Sequence, residues 1–139
     1  MIALDTNIIL HLLVRSQKEH ERARQWLTGV KAPLATTGTN IAEGLRLLTH
    51  PRVFPSPLTL ADAVGLLENF LNEFQVLTLE EKEDWWLDLR ELLRAIPTLR
   101  GNEVFDARIA LCLRYNGIKK LCTMDANFQK YPFLEIVRI

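Results

Sequence analysis

Cysteine and histidine are scarce in this sequence. Only Cys112 and Cys122 occur among 139 residues, each in an apolar setting. A disulfide scaffold and the paired Cys or Cys/His spacing of zinc sites are therefore not indicated, and we expect two buried thiols. The three histidines, His11, His20 and His50, are scattered without a pairing pattern. A metal-free ribonuclease that works through a pair of histidines thus has little support.

Long hydrophobic runs, a net charge and a glycine-rich phosphate loop are also missing. No stretch of about 18 apolar residues predicts a membrane span. The apolar start is interrupted by Asp5 and His11 and lacks a basic leader and a cleavage site, so we expect a complete, cytosolic chain without a signal peptide. Basic and acidic residues number 17 each. A surface for nucleic acid would therefore depend on local clusters of Arg and Lys.

What is present is the composition of one soluble domain, which we place at residues 1–139. Hydrophobic residues make up 48% and charged residues 24%, an ordinary globular balance. Short apolar runs alternate with helical patterns, which favours an α/β fold with a mostly parallel sheet covered on both faces. Strands are predicted at residues 2–4, 34–36, 76–79, 121–123 and 136–139.

The predicted helices are bounded by capping residues, glycines and prolines. They run from Asp5 through Leu13, from a Ser16–Glu19 capping box to Gly29, from Asn40 through Leu48, from Thr59 through Leu71, from Glu80 to Ala95, and from Asn102 to Asn116. Glu80, Glu81, Glu83 and Asp84 are expected in the first turns of their helix, where they complement its dipole. The spacing on the helix opened by Thr59 predicts an inner face made of Leu60, Val64, Leu67 and Leu71.

Four acidic residues occupy less ordinary places. Asp5 and Asp125 each follow a short apolar strand directly, and the carboxyl ends of parallel strands form the edge where ligands bind. Asp106 shares a helical face with core residues that follow it, and Glu43 lies near the start of its helix. Each also has a plainer interpretation as a cap or first-turn acid, and the Asn40–Glu43 spacing suits a capping box.

Convergence of these four acids would require cations. Two carboxylates roughly 6 Å apart repel by about 3 kcal/mol at an effective dielectric near 20. Hard oxygen ligands select Mg²⁺ or Mn²⁺, and an incompletely filled shell leaves room for water and phosphate. This predicts metal-assisted hydrolysis of a phosphodiester. An aspartyl-phosphate enzyme is the weaker interpretation, because the second acid expected two residues after Asp5 is Asn7.

Several motifs together resemble PIN-domain nucleases, and most closely the VapC-type toxins of bacterial toxin–antitoxin pairs. They cover the whole chain in the family's order. They are Leu4-Asp5-Thr6-Asn7, Asn40-Ile41-Ala42-Glu43, the stretch from Thr49 to Leu58, Phe105-Asp106-Ala107-Arg108-Ile109-Ala110, and Thr123-Met124-Asp125-Ala126-Asn127-Phe128.

The resemblance implies a PIN-like three-layer α/β/α fold with a short, mostly parallel sheet of about five strands. It also implies a homodimer, inhibition by a small antitoxin, and Mg²⁺- or Mn²⁺-dependent cleavage of RNA by metal-activated water. The implied catalytic residues and metal ligands are Asp5, Glu43, Asp106 and Asp125. One departure is Asn127, where the family often has a further acid. A nuclease directed at DNA or at a particular nucleic-acid structure, and a PIN module that binds without cleaving, stay open.

Further residues are candidates for supporting roles. Side chains that are able to orient carboxylates or water are Thr6, Asn7, Thr123 and Asn127, although turn or cap roles are equally consistent with them. Candidates for contacts with RNA phosphates are Arg46, Arg100 and Arg108. The tryptophans Trp26, Trp85 and Trp86 are expected in the core or at an interface rather than stacked on bases.

Overall fold

Five short parallel strands form the centre of the computed structural model, which describes all 139 residues. The strands are β1 (Ile2–Leu4), β2 (Leu34–Thr37), β3 (Leu77–Leu79), β4 (Lys120–Cys122) and β5 (Glu135–Val137). Their order in the sheet is β3-β2-β1-β4-β5, and all four pairings are parallel. The predicted α/β class and the sheet of about five strands are therefore confirmed.

Six helices and two 3₁₀ turns connect the strands. The helices are α1 (Thr6–Leu13), α2 (His20–Gly29), α3 (Gly38–Leu48), α4 (Leu60–Glu73), α5 (Leu89–Ala95) and α6 (Glu103–Tyr115), and the 3₁₀ turns span Trp85–Asp88 and Ala126–Lys130. No helix is long and apolar enough to cross a membrane.

Helices cover both faces of the sheet, which gives the three predicted layers. Side chains alternate along each strand, so Ala3 and Leu121 belong to one hydrophobic cluster and Leu4 and Cys122 to the other. The first cluster contains residues of α5 and α6, and the second contains residues of α1 to α4. Small side chains let α6 approach the sheet closely: Ala107 and Ala110 of the helix are fully buried, as are Ala3 and Ala35 of the strands.

Three predictions about helices were wrong. Helix α2 begins at His20 with no side-chain cap, so the Ser16–Glu19 capping box does not form. The acids from Glu80 to Asp84 precede the 3₁₀ turn and lie outside a helix, so they do not complement a helix dipole. On α4 the predicted inner face is wrong in part: Leu67 is buried and Leu71 partly buried, but Leu60 and Val64 are 61% and 48% exposed, and Ala63 and Phe70 are buried instead.

Tyr131 provides a test of how an unpaired polar group affects this core. Its side chain is fully buried, and its hydroxyl has no hydrogen-bond partner. A buried hydroxyl without a partner costs about 1–3 kcal/mol in lost hydration. We therefore expect Tyr131→Phe to raise the free energy of unfolding by ~1 kcal/mol, measured by chemical denaturation. Tyr115→Phe, at an exposed position, should leave it unchanged. A clear loss of stability in Tyr131→Phe alone would contradict this account.

Candidate active site

Two of the four acids lie side by side at the carboxyl edge of the sheet. Strands β1 and β4 pair in parallel with Leu4 opposite Cys122. The backbone N–H of Asp5 extends this ladder by donating to the Cys122 carbonyl at 3.0 Å. Asp5 therefore follows the end of β1 at the same edge of the sheet where the segment leading to Asp125 follows the end of β4. The predicted placement of both residues after strand ends is confirmed, and the two strands are neighbours in the sheet.

The Asp5 carboxylate is held by hydrogen bonds to both oxygens and is only 5% exposed. Its Oδ1 accepts from the Thr6 backbone N–H at 2.8 Å and from the Asn40 side-chain amide at 3.0 Å. Its Oδ2 accepts from the Asn7 amide at 3.0 Å and from the Thr123 hydroxyl. Four donors around one carboxylate fix its orientation, which prepares it to act as a rigid oxygen ligand.

Burial nevertheless raises the pKa of Asp5 above its ordinary value. Hydrogen bonds from Thr123 and Thr6 oppose that rise, and the negative charge of Asp125 adds to it. Desolvation disfavours the charged form of any carboxyl, whereas donors favour it. A cation beside Asp5 would therefore stabilise its charged form beyond what the hydrogen bonds achieve.

Glu43 and Asp106 bring two more charges from helices on opposite sides of the sheet. Both side chains are partly buried. Burial, followed by the charge of Asp5, raises the pKa of Glu43. The pKa of Asp106 rises from 3.8 to about 6 through burial and then through the charges of Asp125, Asp5 and Glu43, with Lys130 opposing. All four acids thus influence one another electrostatically.

The capping interpretations hold for two of these acids and fail for Glu43. Asp5 caps α1, and Asp125 caps the 3₁₀ turn by accepting from the Asn127 backbone N–H at 2.8 Å. Helix α3, however, begins at Gly38 and is capped by Thr37, whose hydroxyl oxygen accepts from the Asn40 N–H at 3.2 Å. Glu43 therefore lies inside the helix and has no capping role. Asp5 and Asp125 therefore each act as a cap and also belong to the group of four acids.

The donor set fits a hard divalent cation. Four carboxylates supply the oxygen ligands that Mg²⁺ and Mn²⁺ prefer, and burial followed by the charges of the other three acids raises the pKa of Asp106. No three His, Cys, Asp or Glu side chains lie close enough together to hold one ion in this arrangement. Binding of one ion by three of these acids would therefore require their side chains to move closer together.

The supporting residues form a network that joins the two strand ends. Thr123 donates to Asp5 and also accepts from the Asp125 backbone N–H at 3.0 Å. The Asn7 side-chain N–H₂ donates to both Asp5 and Thr123, and its side-chain oxygen Oδ1 accepts from the Met124 backbone N–H at 3.2 Å. Of the predicted supporting residues, Asn7 and Thr123 donate to Asp5 from their side chains, whereas Thr6 donates from its backbone N–H and its hydroxyl accepts from Asn40. Asn127 contributes its backbone N–H alone, and its side chain is exposed.

The predicted RNA-contact arginines lie in different environments. Arg46 is exposed, and its charge lowers the pKa of Glu43, so it stands beside the acid cluster. Arg100 is exposed at the loop before α6. Arg108 is already bound, because its guanidinium donates to both oxygens of Glu81 at 2.7 and 2.6 Å and lies 4.7 Å from the centre of the Trp85 ring. Arg108 and Trp85 are therefore structural partners.

Two residues of the site were not predicted from the sequence as part of it. Asn40, expected only to open a helix, is 1% exposed and donates to Asp5 and to the Thr6 hydroxyl. No local pattern distinguishes an Asn that caps from an Asn that reaches across to another strand. Lys130 lies close enough to Asp106 to lower its pKa. The sequence signal that could have pointed to Lys130 is its position five residues after Asp125, in a short turn.

Comparison with known proteins agrees with this geometry. Residues 2–134 match the family model described as PIN domain. Ribonuclease VapC24 of Mycobacterium tuberculosis is 30% identical over 143 residues, covering 98% of this chain and 94% of that protein. The chain is a PIN domain of the VapC family. Ribonuclease VapC48 of the same organism is 29% identical over 138 residues, covering 95% of this chain and 92% of the relative.

Solved structures show the same PIN fold. The crystal structure of Mycobacterium tuberculosis VapC20, described as a sarcin-ricin loop cleaving toxin, gives a TM-score of 0.74 at 22% identity and covers 100% of both chains. The structure of VapBC2 from Rickettsia felis, bound to a DNA fragment from its promoter, gives 0.65 at 20% identity and covers 99% of this chain and 98% of that one. At these identities the likeness establishes the three-layer architecture.

Proposed function

We propose that this PIN domain is an endoribonuclease that depends on Mg²⁺ or Mn²⁺ and acts as the toxin of a toxin–antitoxin pair. The observation that carries the proposal is the position of Asp5 and Asp125 after the paired strands β1 and β4, with Glu43 and Asp106 close enough to feel their charges. Such an arrangement is costly unless cations bind. RNA is the substrate class favoured by the names of VapC24 and VapC48, both called ribonucleases.

Asp5, Glu43, Asp106 and Asp125 would hold the cation, directly or through water. When bound, Mg²⁺ or Mn²⁺ lowers the pKa of water and neutralises negative charge on a phosphate undergoing attack. Other residues of the protein orient these carboxylates. Asp5 is fixed by four donors, and Thr123 links it to the backbone that carries Asp125. The proposed contact for a phosphate of the RNA strand is Arg46, which is exposed and lies near Glu43.

A groove between α3 and α4 is the proposed docking surface for the antitoxin. It has a volume of about 260 Å³, and its apolar lining residues are Ile41, Leu45, Val64, Leu67 and Leu71. Leu60, the first residue of α4, also has an exposed side chain. An amphipathic helix with apolar residues at helical spacing suits such a groove. We further propose that a basic side chain of the antitoxin reaches Asp5 and Asp106, and that the toxin is a homodimer.

The cleavage assay tests the proposed chemistry directly. Purified protein should cut single-stranded RNA in Mg²⁺ or Mn²⁺, and excess chelator should stop the reaction because the four carboxylates then have no cation. Attack by water on phosphorus should leave 5′-phosphate and 3′-hydroxyl ends, identified by end-labelling and mass spectrometry. A DNA strand of the same sequence serves as the control for substrate class. Cleavage in chelator, or 2′,3′-cyclic phosphate products, would contradict the proposal.

A further inference from the structure

An ion pair outside the four acids joins the two elements that carry Asp106 and Asp125. Lys130 Nζ lies 2.6 Å from Glu103 Oε1, and 27 residues separate the two along the chain. Glu103 is the first residue of α6, three positions before Asp106. Lys130 is the last residue of the 3₁₀ turn that Asp125 caps. The pair therefore ties the start of α6 to the segment that follows β4.

Each partner is itself held in place. The second carboxylate oxygen of Glu103 accepts from the Arg100 backbone N–H at 2.9 Å. On the other segment, Phe128 and Tyr131 are fully buried and pack against each other with ring centres 6.0 Å apart. The turn is thus anchored in the core on one side and joined to α6 on the other. Lys130 is partly buried, with 25% of its side chain exposed.

The position of Lys130 also matters for charge. Its ammonium lies near enough to Asp106 to oppose the effect of the three other carboxylates. An ion pair exposed on an ordinary surface contributes little to stability. This one lies between two proposed ligand-bearing elements, where a small change in spacing alters how the carboxylates converge. Residues that orient metal ligands from outside typically affect metal affinity or activity by roughly 10–100-fold.

We propose that Glu103 and Lys130 are positioning residues that set the spacing of Asp106 and Asp125 for cation binding. The inference rests on the proposed function, since it assigns a role to residues that support the same acids. It differs from a direct role for Lys130 in binding RNA phosphate. In that case Glu103 would only compete with the substrate for the ammonium, and its removal would leave activity intact or increase it.

A double-mutant cycle separates the two roles. We expect Glu103→Gln and Lys130→Met each to lower kcat roughly tenfold and to raise the Mn²⁺ concentration needed for half-maximal activity, with KM for RNA unchanged. The double variant should be no worse than either single one, because both remove the same contact. Lys130→Arg should restore most of the activity. The Gln side chain keeps an oxygen for the Arg100 N–H, so the loop before α6 is preserved.

The matched control is Lys120→Met, which makes the same chemical change at the opposite end of the strands. Lys120 begins β4 and lies 4.0 Å from Glu135. It should retain wild-type kcat and Mn²⁺ dependence. Full activity in Glu103→Gln with a raised KM in Lys130→Met would overturn the proposal in favour of a phosphate contact. Additive losses in the double variant, or no loss in either single variant, would also overturn it.

Mn²⁺ binding by calorimetry gives a second measurement that does not require cleavage. Glu103→Gln and Lys130→Met should each weaken Mn²⁺ binding by roughly tenfold, while Lys120→Met binds as the wild type does. Loss of the Lys130 charge alone would strengthen binding, so weaker binding in Lys130→Met would report the lost spacing. If wild-type protein bound Mn²⁺ but cut no RNA, the proposed function would fail and this comparison would still decide the role of the pair. Unchanged Mn²⁺ affinity in both variants would overturn the positioning role even if the protein is a nuclease.

Discussion

Replacing Asp106 with asparagine is expected to reduce RNA cleavage by roughly a thousandfold or more, because a charged oxygen ligand would be lost from the proposed cation site. The same change should stabilise the metal-free protein at pH 7. Folding raises the pKa of Asp106 from 3.8 to about 6, which in full corresponds to about 3 kcal/mol. Solvent screening at this partly exposed side chain reduces the expected gain to ~1–2 kcal/mol.

The effect on stability should depend on pH with a definite sign. Because the pKa of Asp106 is higher in the folded than in the unfolded state, the folded state binds the proton more tightly. Wild-type stability should therefore fall as pH rises from about 4 to about 6, through the range between the ordinary and the raised pKa. Asp106→Asn should lack this contribution, so the two proteins should differ least near pH 4. Denaturation curves across that range measure the difference.

Asp62→Asn is the matched control for Asp106→Asn. Both residues are acids in the first turn of a helix, but Asp62 is exposed and belongs to α4. It should keep full cleavage and gain no stability. Adding Mn²⁺ should raise the melting temperature of the wild type and of Asp62→Asn, and much less that of Asp106→Asn. Equal losses of stability in Asp106→Asn with and without Mn²⁺ would favour a purely structural role.

Asp5 would be a poorer choice for the same experiment. Its two oxygens face four donors, from Thr6, Asn40, Asn7 and Thr123. An asparagine in its place would point an amide N–H₂ at two of them, which leaves buried donors unpaired. Loss of activity in Asp5→Asn would therefore be mixed with loss of stability. Asp106 has no such set of donors and isolates the effect of charge.

The positions of Asp5 and Asp125 were predictable because strand ends are encoded locally. A short apolar run followed by Asp indicates the carboxyl edge of a sheet, and β1 and β4 behave in this way. The helix start near Glu43 was less predictable, because Thr37 and Asn40 are both good capping residues. The hydroxyl of Thr37 is the actual cap, and Asn40 instead reaches Asp5. A choice between two such residues depends on contacts made across the sheet.

The inner face of α4 shows a second limit of local patterns. Leu60, Val64, Leu67 and Leu71 have helical spacing, but so do Ala63, Leu67 and Phe70, and the latter set is buried. Both sets form continuous apolar stripes that share Leu67. Small Ala63 permits close packing and Phe70 fills the core, which the spacing alone does not reveal. The unexpected result is an exposed apolar stripe at Leu60 and Val64, of which Val64 lines the groove proposed for the antitoxin.

One substitution among the four acids and one in the groove between α3 and α4 are expected to have opposite effects on toxicity and on antitoxin binding. Expression of the wild-type chain alone should arrest bacterial growth, and coexpression with its antitoxin should relieve the arrest. Asp106→Asn should lose toxicity because cleavage is lost, yet it should still copurify with the antitoxin through the groove. Val64→Glu should remain toxic, because it leaves the acids intact. It should fail to copurify because a charge is buried against an apolar helix.

The control for Val64→Glu is Leu77→Glu, a similar change at a residue that is 53% exposed on β3, compared with 48% exposure for Val64. It should be toxic and should bind antitoxin as the wild type does. Growth curves and pull-down of tagged antitoxin measure both properties for each variant. Full toxicity of Asp106→Asn would contradict both the nuclease and the toxin roles. Wild-type copurification of Val64→Glu would leave those roles intact and remove the groove between α3 and α4 as the antitoxin surface.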